Sequence, residues 1–218
     1  MDISLEQTTR RILDVLLSEV DDMKALLLDS HTSSIISHVY SQSEVVNKKS
    51  FLFRRLAAPS TDPLPHMNAI VFITPASAKD LYAELQSPKF AEYHVFFSDD
   101  IDDDIIARVA QNDTSCLVKS LRTYFCNHIS LSKSFAVSNF PLTSVDLDAS
   151  TKLLTSFLLA NGFGSPTIRY QSGNDNCKNI AINCYSQLRQ KRHLLENVTN
   201  NFKIEVVVVD RKEDQLLL

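Results

Sequence analysis

Short apolar runs alternate along this chain with stretches in which apolar residues recur every three to four positions. Runs of this kind favour buried strands, and the longer period favours amphipathic helices. The pattern predicts strands over residues 24–29, 50–56, 68–73 and 92–98, and helices over residues 3–20, 33–49, 77–86 and 99–111. Such alternation is typical of an α/β domain with a mostly parallel sheet flanked by helices.

The pattern changes in the second half of the chain. It predicts short strands over residues 116–125 and 128–138, a helix over 145–162 ended by Gly162, a strand over 167–171, a long helix near 175–196, and a last buried strand that leads to Asp210. The segment NFPLTS separates the two patterns. We therefore predict an α/β domain over residues 1–140, followed over 141–218 by the beginning of a second, truncated α/β domain.

Composition and charge narrow the classes of function. Apolar residues make up 44% of the chain and charged residues 22%, as in ordinary soluble domains. The net charge of -4 argues against a nucleic-acid binder, which normally presents a basic face. No apolar run approaches the roughly 18 residues that span a bilayer, so no direct membrane insertion is predicted. The N-terminus has no signal-peptide pattern, which predicts a cytoplasmic protein.

Asp29 is the residue that most invites a chemical role. It ends a predicted buried strand in LLLDSHTSS, at the sheet edge where α/β proteins bind ligands. In the phosphohydrolase pattern Asp-x-Asp-x-Thr, the first aspartate attacks phosphate and the second acts as acid and base, but here His31 occupies the second position. A small α/β phosphotransfer or phosphatase-type enzyme that uses Asp29 stays the alternative, while capping of the following helix is favoured.

No cofactor, metal or catalytic residue is predicted. The chain has only three glycines, and none lies in the turn after the first strand, where a nucleotide site needs close backbone approach. None of the four cysteines forms a CxxC pair, so a zinc site is not expected. The acidic run at 98–105 lacks the glycine and terminal glutamate of a calcium loop. Acids there complement the N–H groups at a helix start.

Several segments, taken in order, resemble one known family. They are MKALLLDSHTSSIISHVYSQSEVVNKKSFLFRRL (23–56), MNAIVFITPASAKDLYAELQSPKFAEYHVFFSDDI (67–101), IRYQ (168–171) and VVVVDRKED (206–214). They resemble the SM (Sec/Munc) family of syntaxin-binding regulators of vesicle fusion, and within it the vacuolar-protein-sorting branch of the trans-Golgi network and endosomes. The resemblance implies a non-enzymatic protein whose first α/β domain binds a syntaxin-type SNARE. It also implies a monomer in full-length form, recruited peripherally to Golgi and endosomal membranes.

The resemblance implies a first partner surface, the syntaxin cleft. Its positions fall on Asp29, Ser34, Ser41 and Arg54. Asp29 agrees with the family. Ser34 and Ser41 stand where the neuronal branch has basic residues, and Arg54 stands where it has an acid. Because a lost or reversed charge removes the electrostatic attraction of an ion pair, we expect these substitutions to weaken the electrostatic part of syntaxin binding.

The resemblance implies a second surface, an apolar pocket for the N-terminal peptide of syntaxin. Its positions fall on Ile106, Val109, Leu121 and Thr123. Helical spacing predicts one apolar face for Ile101, Ile105, Ile106 and Val109, and alternation predicts one strand face for Leu117, Lys119, Leu121 and Thr123. The residues alone favour a core position for Ile106 and Leu121, whereas the resemblance favours the pocket, and the core position stays as the alternative.

Overall fold

The computed structural model describes residues 4–58, 62–138, 146–163, 165–195 and 204–210. The chain divides into two units, Met1–Asn139 and Phe140–Leu218. The first unit consists of α1 (Leu5–Leu17), β1 (Lys24–Leu28), α2 (Ser30–Val39), α3 (Gln42–Asn47), β2 (Ser50–Arg55), β3 (Asn68–Ile73), α4 (Ala78–Gln86), β4 (Tyr93–Phe97), α5 (Asp103–Asn112), β5 (Val118–Thr123), β6 (Ile129–Ser130) and β7 (Ala136–Val137). A 3-10 turn, Pro75–Ser77, precedes α4.

Strands β1 to β5 form a parallel sheet in the order β2-β1-β3-β4-β5. The inner strands β1, β3 and β4 are almost wholly buried, because a parallel sheet is covered by helices on both faces. Their apolar runs therefore match the predicted strands. The predicted fold class of a mostly parallel sheet flanked by helices is confirmed. Strands β6 and β7 form a short antiparallel pair.

Two separate apolar clusters define the faces of the sheet. Alternate residues of β1 point to opposite faces, so Leu26 packs in one cluster and Leu27 in the other. The first cluster takes the apolar residues of α1 and α2, including Leu16 and Ile35. The second takes those of α4, including Leu81, together with Val109 of α5. The sheet face that the first cluster covers is named the α2 face, and the face that the second cluster covers is named the α4 face.

The second unit consists of α6 (Leu147–Ala160), β8 (Thr167–Tyr170), α7 (Asp175–Gln190), a 3-10 turn (Arg192–Leu195) and β9 (Glu205–Val208). Gly162 ends α6 as predicted. Its φ of 74° suits a residue without a side chain. Its N–H donates to the carbonyl of Leu159 at 3.0 Å, and the N–H of Phe163 donates to that of Leu158 at 2.8 Å. This is the Schellman arrangement of helix ends.

The prediction of a buried last strand is wrong. Strands β8 and β9 pair in parallel as a two-stranded sheet, and residues of β9 alternate between exposed and half-buried. Val207 is 61% exposed. Helix α7 packs against both strands, whereas the apolar run by itself predicted cover on both faces. The predicted long helix also ends earlier, at Gln190.

Candidate partner-binding surfaces

Asp29 joins the ends of two neighbouring strands. It follows β1 and is the N-cap of α2, where its Oδ1 accepts the N–H of Thr32 at 2.8 Å. Its Oδ2 accepts the backbone N–H of Thr74 at 2.6 Å and the Thr74 hydroxyl at 2.7 Å. Because Thr74 follows β3, the carboxylate links the carboxyl ends of two strands. The predicted capping role is confirmed.

These contacts also set the charge state of Asp29. Burial by itself would raise its pKa, but hydrogen bonds from Thr32, Thr74 and Ser77 outweigh burial and lower the pKa below its ordinary value. A carboxylate with both oxygens engaged and a lowered pKa is a weak nucleophile. Among the described residues, no group of three or more His, Cys, Asp or Glu side chains is placed to hold a metal ion. The geometry favours positioning over phosphate chemistry.

Two further cleft residues lie on the same side of the sheet as Asp29. The Ser34 hydroxyl of α2 donates to the carbonyl of Ser30 at 3.1 Å. Ser41 is the N-cap of α3 and forms a capping box with Glu44, whose Oε2 accepts the Ser41 N–H at 2.9 Å. That backbone hydrogen bond and an ion pair with Arg10 lower the pKa of Glu44 to about 2. Asp29, Ser34 and Ser41 therefore lie along one segment, which runs from the N-cap of α2 to the N-cap of α3.

Arg54 does not share that surface. In β2 it aligns with Leu27 of β1, which belongs to the α4 face, and its Nη2 lies 2.5 Å from Oε2 of Glu84 in α4. The two side chains are only 5% and 3% exposed. Glu84 also accepts the Tyr93 hydroxyl at 3.0 Å. The structure therefore places Arg54 in a buried ion pair on the face opposite α2.

Sequence reasoning missed the neighbours of Arg54 that do face the α2 side. Phe53 aligns with Leu26 and Arg55 with Leu28, both of the α2 face. Phe53 is 40% exposed and Arg55 is exposed, because β2 is an edge strand. In SFLFRR, Phe51, Phe53 and Arg55 stand at every second position, but the face that each residue takes depends on the register of β2 against β1, which the sequence does not show. We name Asp29, Ser34, Ser41, Phe53 and Arg55 the α2-side surface.

The predicted helical face of the peptide pocket is partly wrong. Val109 is 3% exposed and belongs to the core of the α4 face, and Ile105 packs partly against it. Ile106 is 43% exposed. Successive residues of a helix lie about 100° apart, so Ile106 turns away from the face that Ile105 and Val109 share.

The predicted alternation in β5 is wrong at Lys119, whereas Leu121 and Thr123 share one face as predicted. The pairing of β4 with β5 shifts at Lys119, so Val118 aligns with Tyr93 and Leu121 with Val95. Leu121 is therefore half-buried against the α4-face core, and Lys119 is exposed. Ile106 and Leu121 still lie on the same side of the sheet, near its β5 edge. We name Ile106, Leu121 and Thr123 the β5-edge surface, with Val109 as the core residue beneath it.

The two surfaces lie on opposite faces of one sheet, a geometry suited to separate contacts with a partner. A model of the Sec1 family matches residues 24–217. The chain belongs to the Sec1 family. The match begins at the first residue of β1 and extends into the second unit. It confirms the resemblance that the ordered segments indicated.

Similar proteins are known from several organisms. The vacuolar protein sorting-associated protein 45 of Dictyostelium discoideum is 28% identical over 214 residues, which cover 94% of this chain and 38% of that protein. The Homo sapiens protein of the same name is 28% identical over 204 residues, which cover 89% of this chain and 35% of that protein.

A solved structure of the SM protein Vps45 in complex with the Qa SNARE Tlg2 (1-310) has a TM-score of 0.89 and 25% identity. It covers 98% of this chain, and the chain covers 41% of it. The chain spans about two fifths of the length of the proteins that it matches. In the described part of the chain, no helix combines the length and the hydrophobicity that crossing a bilayer requires.

Proposed function

We propose that this chain binds a syntaxin-type SNARE and regulates vesicle docking and fusion in transport through the trans-Golgi network and endosomes. It acts by binding and not by catalysis. It works from the cytoplasm and is recruited peripherally to Golgi and endosomal membranes. In the complete protein it is the syntaxin-binding region of a monomer, with a first domain over residues 1–140 and the start of a second over 141–218.

One observation carries the proposal. The SM protein Vps45, whose fold aligns with almost the whole of this chain, is in complex with a Qa SNARE in a solved structure, and relatives of this chain bear the same vacuolar-protein-sorting name. The contacts of Asp29 support it. A carboxylate that caps α2 and anchors β3 holds the α2-side surface rigid, as a preformed protein-binding surface requires.

Each surface has a role in the proposal. The β5-edge surface holds the N-terminal peptide of the SNARE, with the exposed side chain of Ile106 as its main apolar contact. The α2-side surface contacts the folded part of the SNARE through Phe53 and Arg55, beside the ordered segment of Asp29, Ser34 and Ser41. Arg54 supports that surface indirectly, since its buried pair with Glu84 holds β2 against α4.

The test measures two ligands against two variants. Labelled N-terminal peptide of a Qa SNARE is titrated by fluorescence anisotropy, and the cytosolic region of the same SNARE is titrated by calorimetry. Ile106→Asp charges the β5-edge surface, and Phe53→Asp charges the α2-side surface. Val15→Asp is the matched control, because Val15 is 51% exposed on α1 and belongs to neither surface. Exposed positions are used since a charge at half-buried Leu121 would also disturb the core.

We expect Ile106→Asp to weaken peptide binding about tenfold or more, while Val15→Asp leaves it unchanged. Phe53→Asp should weaken binding of the cytosolic region and spare the peptide. Peptide binding that survives Ile106→Asp would contradict the β5-edge surface alone. A wild-type chain that binds neither the peptide nor the cytosolic region would contradict SNARE binding.

A further inference from the structure

The second unit has an open pocket that the proposed SNARE surfaces do not use. Its volume is about 500 Å3, within the range of pockets that hold small-molecule ligands. The loop before β8, helix α7 and the 3-10 turn after it supply its lining. The lining residues are Ser165, Pro166, Tyr185, Leu188, Arg189 and Arg192. Among these described lining residues none is acidic and two are arginines, so the described part of the lining is positively charged.

Arg189 and Arg192 give the pocket its charge. Arg189 lies in the last turn of α7, and Arg192 begins the 3-10 turn three residues later. Both are exposed, and neither forms an ion pair with a carboxylate among the described residues. Arg169 of the same unit, by contrast, is paired with Glu205. Two guanidinium groups that line one pocket with no counter-charge in its described lining repel each other, and a bound anion would relieve that repulsion.

Helix stabilisation accounts for only part of this arrangement. A cation in the last turn of a helix complements its negative carbonyl end, which explains Arg189. Arg192 lies beyond the helix, and Tyr185 is 57% exposed one turn before Arg189. The same carbonyl end disfavours an anion on the helix axis. A ligand must therefore lie on the flank of α7, where the two guanidinium groups and the Tyr185 ring face the pocket.

The remaining lining residues indicate the class of ligand. The planar donors of arginine match phosphate oxygens in pairs. A single phosphate ion would fill only a small part of 500 Å3, so the ligand carries a body as well as a phosphate. Buried Leu188 and Pro166 form an apolar floor, and the hydroxyls of Tyr185 and Ser165 can hydrogen-bond a polar ring.

We propose that this pocket binds a phosphorylated polyol of the inositol phosphate class. Arg189 and Arg192 bind its phosphates, and Tyr185 contacts its ring. The same chemistry is offered by a soluble inositol phosphate and by the headgroup of a phosphoinositide lipid. The site lies in the second unit, so it can be tested separately from the SNARE surfaces of the first.

The experiment titrates the whole chain with inositol trisphosphate by calorimetry, at low and high salt. Arg189→Gln combined with Arg192→Gln removes both guanidinium groups. Arg11→Gln combined with Arg122→Gln removes two exposed arginines of the first unit that belong to neither SNARE surface, and is the matched control. Tyr185→Ala removes the ring. Thermal unfolding of each variant confirms that the fold is intact, as expected for exposed positions.

We expect saturable binding by the wild-type chain, weakened at least about tenfold in the Arg189/Arg192 variant and unchanged in the control. Inorganic phosphate should compete only weakly. Sedimentation with vesicles that contain phosphatidylinositol bisphosphate, but not with phosphatidylserine vesicles, would identify the lipid headgroup as the source. Absence of that sedimentation would identify the soluble compound. No binding by the wild-type chain, or equal weakening in the control, would overturn the proposal.

Discussion

The sheets of the two units are both parallel, but they bury their strands to very different extents. In β1 of the first unit every residue is buried, whereas in β9 of the second unit exposed and half-buried residues alternate. The two strands look alike in sequence, ALLL in one and EVVV in the other. The difference is in their neighbours. Strand β1 has a strand on each side and helices over both faces, and β9 pairs with β8 and packs against α7.

The comparison shows that the contribution of an apolar run to the free energy of unfolding depends on the elements that cover it. Burial of a Leu side chain stabilises a fold by about 2 kcal/mol, and an exposed Val contributes little of that kind. Ion pairs follow the same logic, because a buried pair cannot lose one partner without leaving a desolvated charge behind. Matched substitutions in the two units therefore test the comparison directly, from the largest expected effect to the smallest.

The largest difference is expected for the two ion pairs. Glu84→Ala removes the carboxylate that pairs with buried Arg54, and we expect it to lower the free energy of unfolding of the first unit by about 3–5 kcal/mol. Glu205→Ala breaks the exposed pair with Arg169 and should cost less than about 1 kcal/mol. Hydrogen exchange with mass spectrometry reports on the two units separately. Equal losses would contradict the difference in burial.

Core packing gives the next contrast. Leu26→Ala removes a side chain that is fully buried in the α2-face core, and should cost about 3 kcal/mol. Val207→Ala shortens a side chain that is 61% exposed and should change stability by less than about 0.5 kcal/mol. Urea denaturation followed by circular dichroism measures both. A large loss for Val207→Ala would show that the outer face of β9 is covered in solution.

The two units should also differ in how much stability they lose as the pH falls. Burial, with a smaller contribution from nearby His31, lowers the pKa of His128 to about 4 from its ordinary value near 6.5. Between these values the unfolded chain binds more protons, so stability falls as the pH drops from 6.5 towards 4, by on the order of 3 kcal/mol. His128→Gln should flatten that decline, and His193→Gln, at an exposed site, should leave it unchanged. Urea midpoints measured across this range provide the test.

The smallest contrast concerns helix caps. Asp29→Asn replaces one acceptor oxygen by a donor, which leaves the Thr74 or the Thr32 N–H without its partner and should cost about 2 kcal/mol. Asp146→Asn, at the exposed N-cap of α6, should cost a few tenths, because Asn caps about as well as Asp. Thermal unfolding at neutral pH compares the two.

The same cap has a pH signature. Because the pKa of Asp29 is lowered in the folded state, its stabilisation is present above pH 3.8 and is lost as the pH falls through the folded value. Asp29→Asn should remove this acid-induced loss. If the variant lost stability over the same pH range as the wild-type chain, another carboxylate would be responsible.

Much of the fold could be predicted from local pattern. Three features follow from residue types and their spacing: the inner strands, the N-cap role of Asp29 and the end of α6 at Gly162. Each depends only on residues a few positions apart, because an apolar run, a capping side chain and a glycine with a positive φ all act locally. The family membership also followed from the order of its segments. These features require no knowledge of distant contacts.

The tertiary structure alone decided which side chains remain on the surface. A register shift of β2 against β1 places Arg54 in a buried pair and leaves Phe53 exposed. A second shift, in the pairing of β4 with β5, turns Lys119 away from the face on which Leu121 lies. The partial exposure of β9 and the formation of the pocket beside Arg189 likewise depend on residues that are distant in sequence. Exposure is a property of the space around a residue, and that space is filled by residues whose placement the local pattern does not contain.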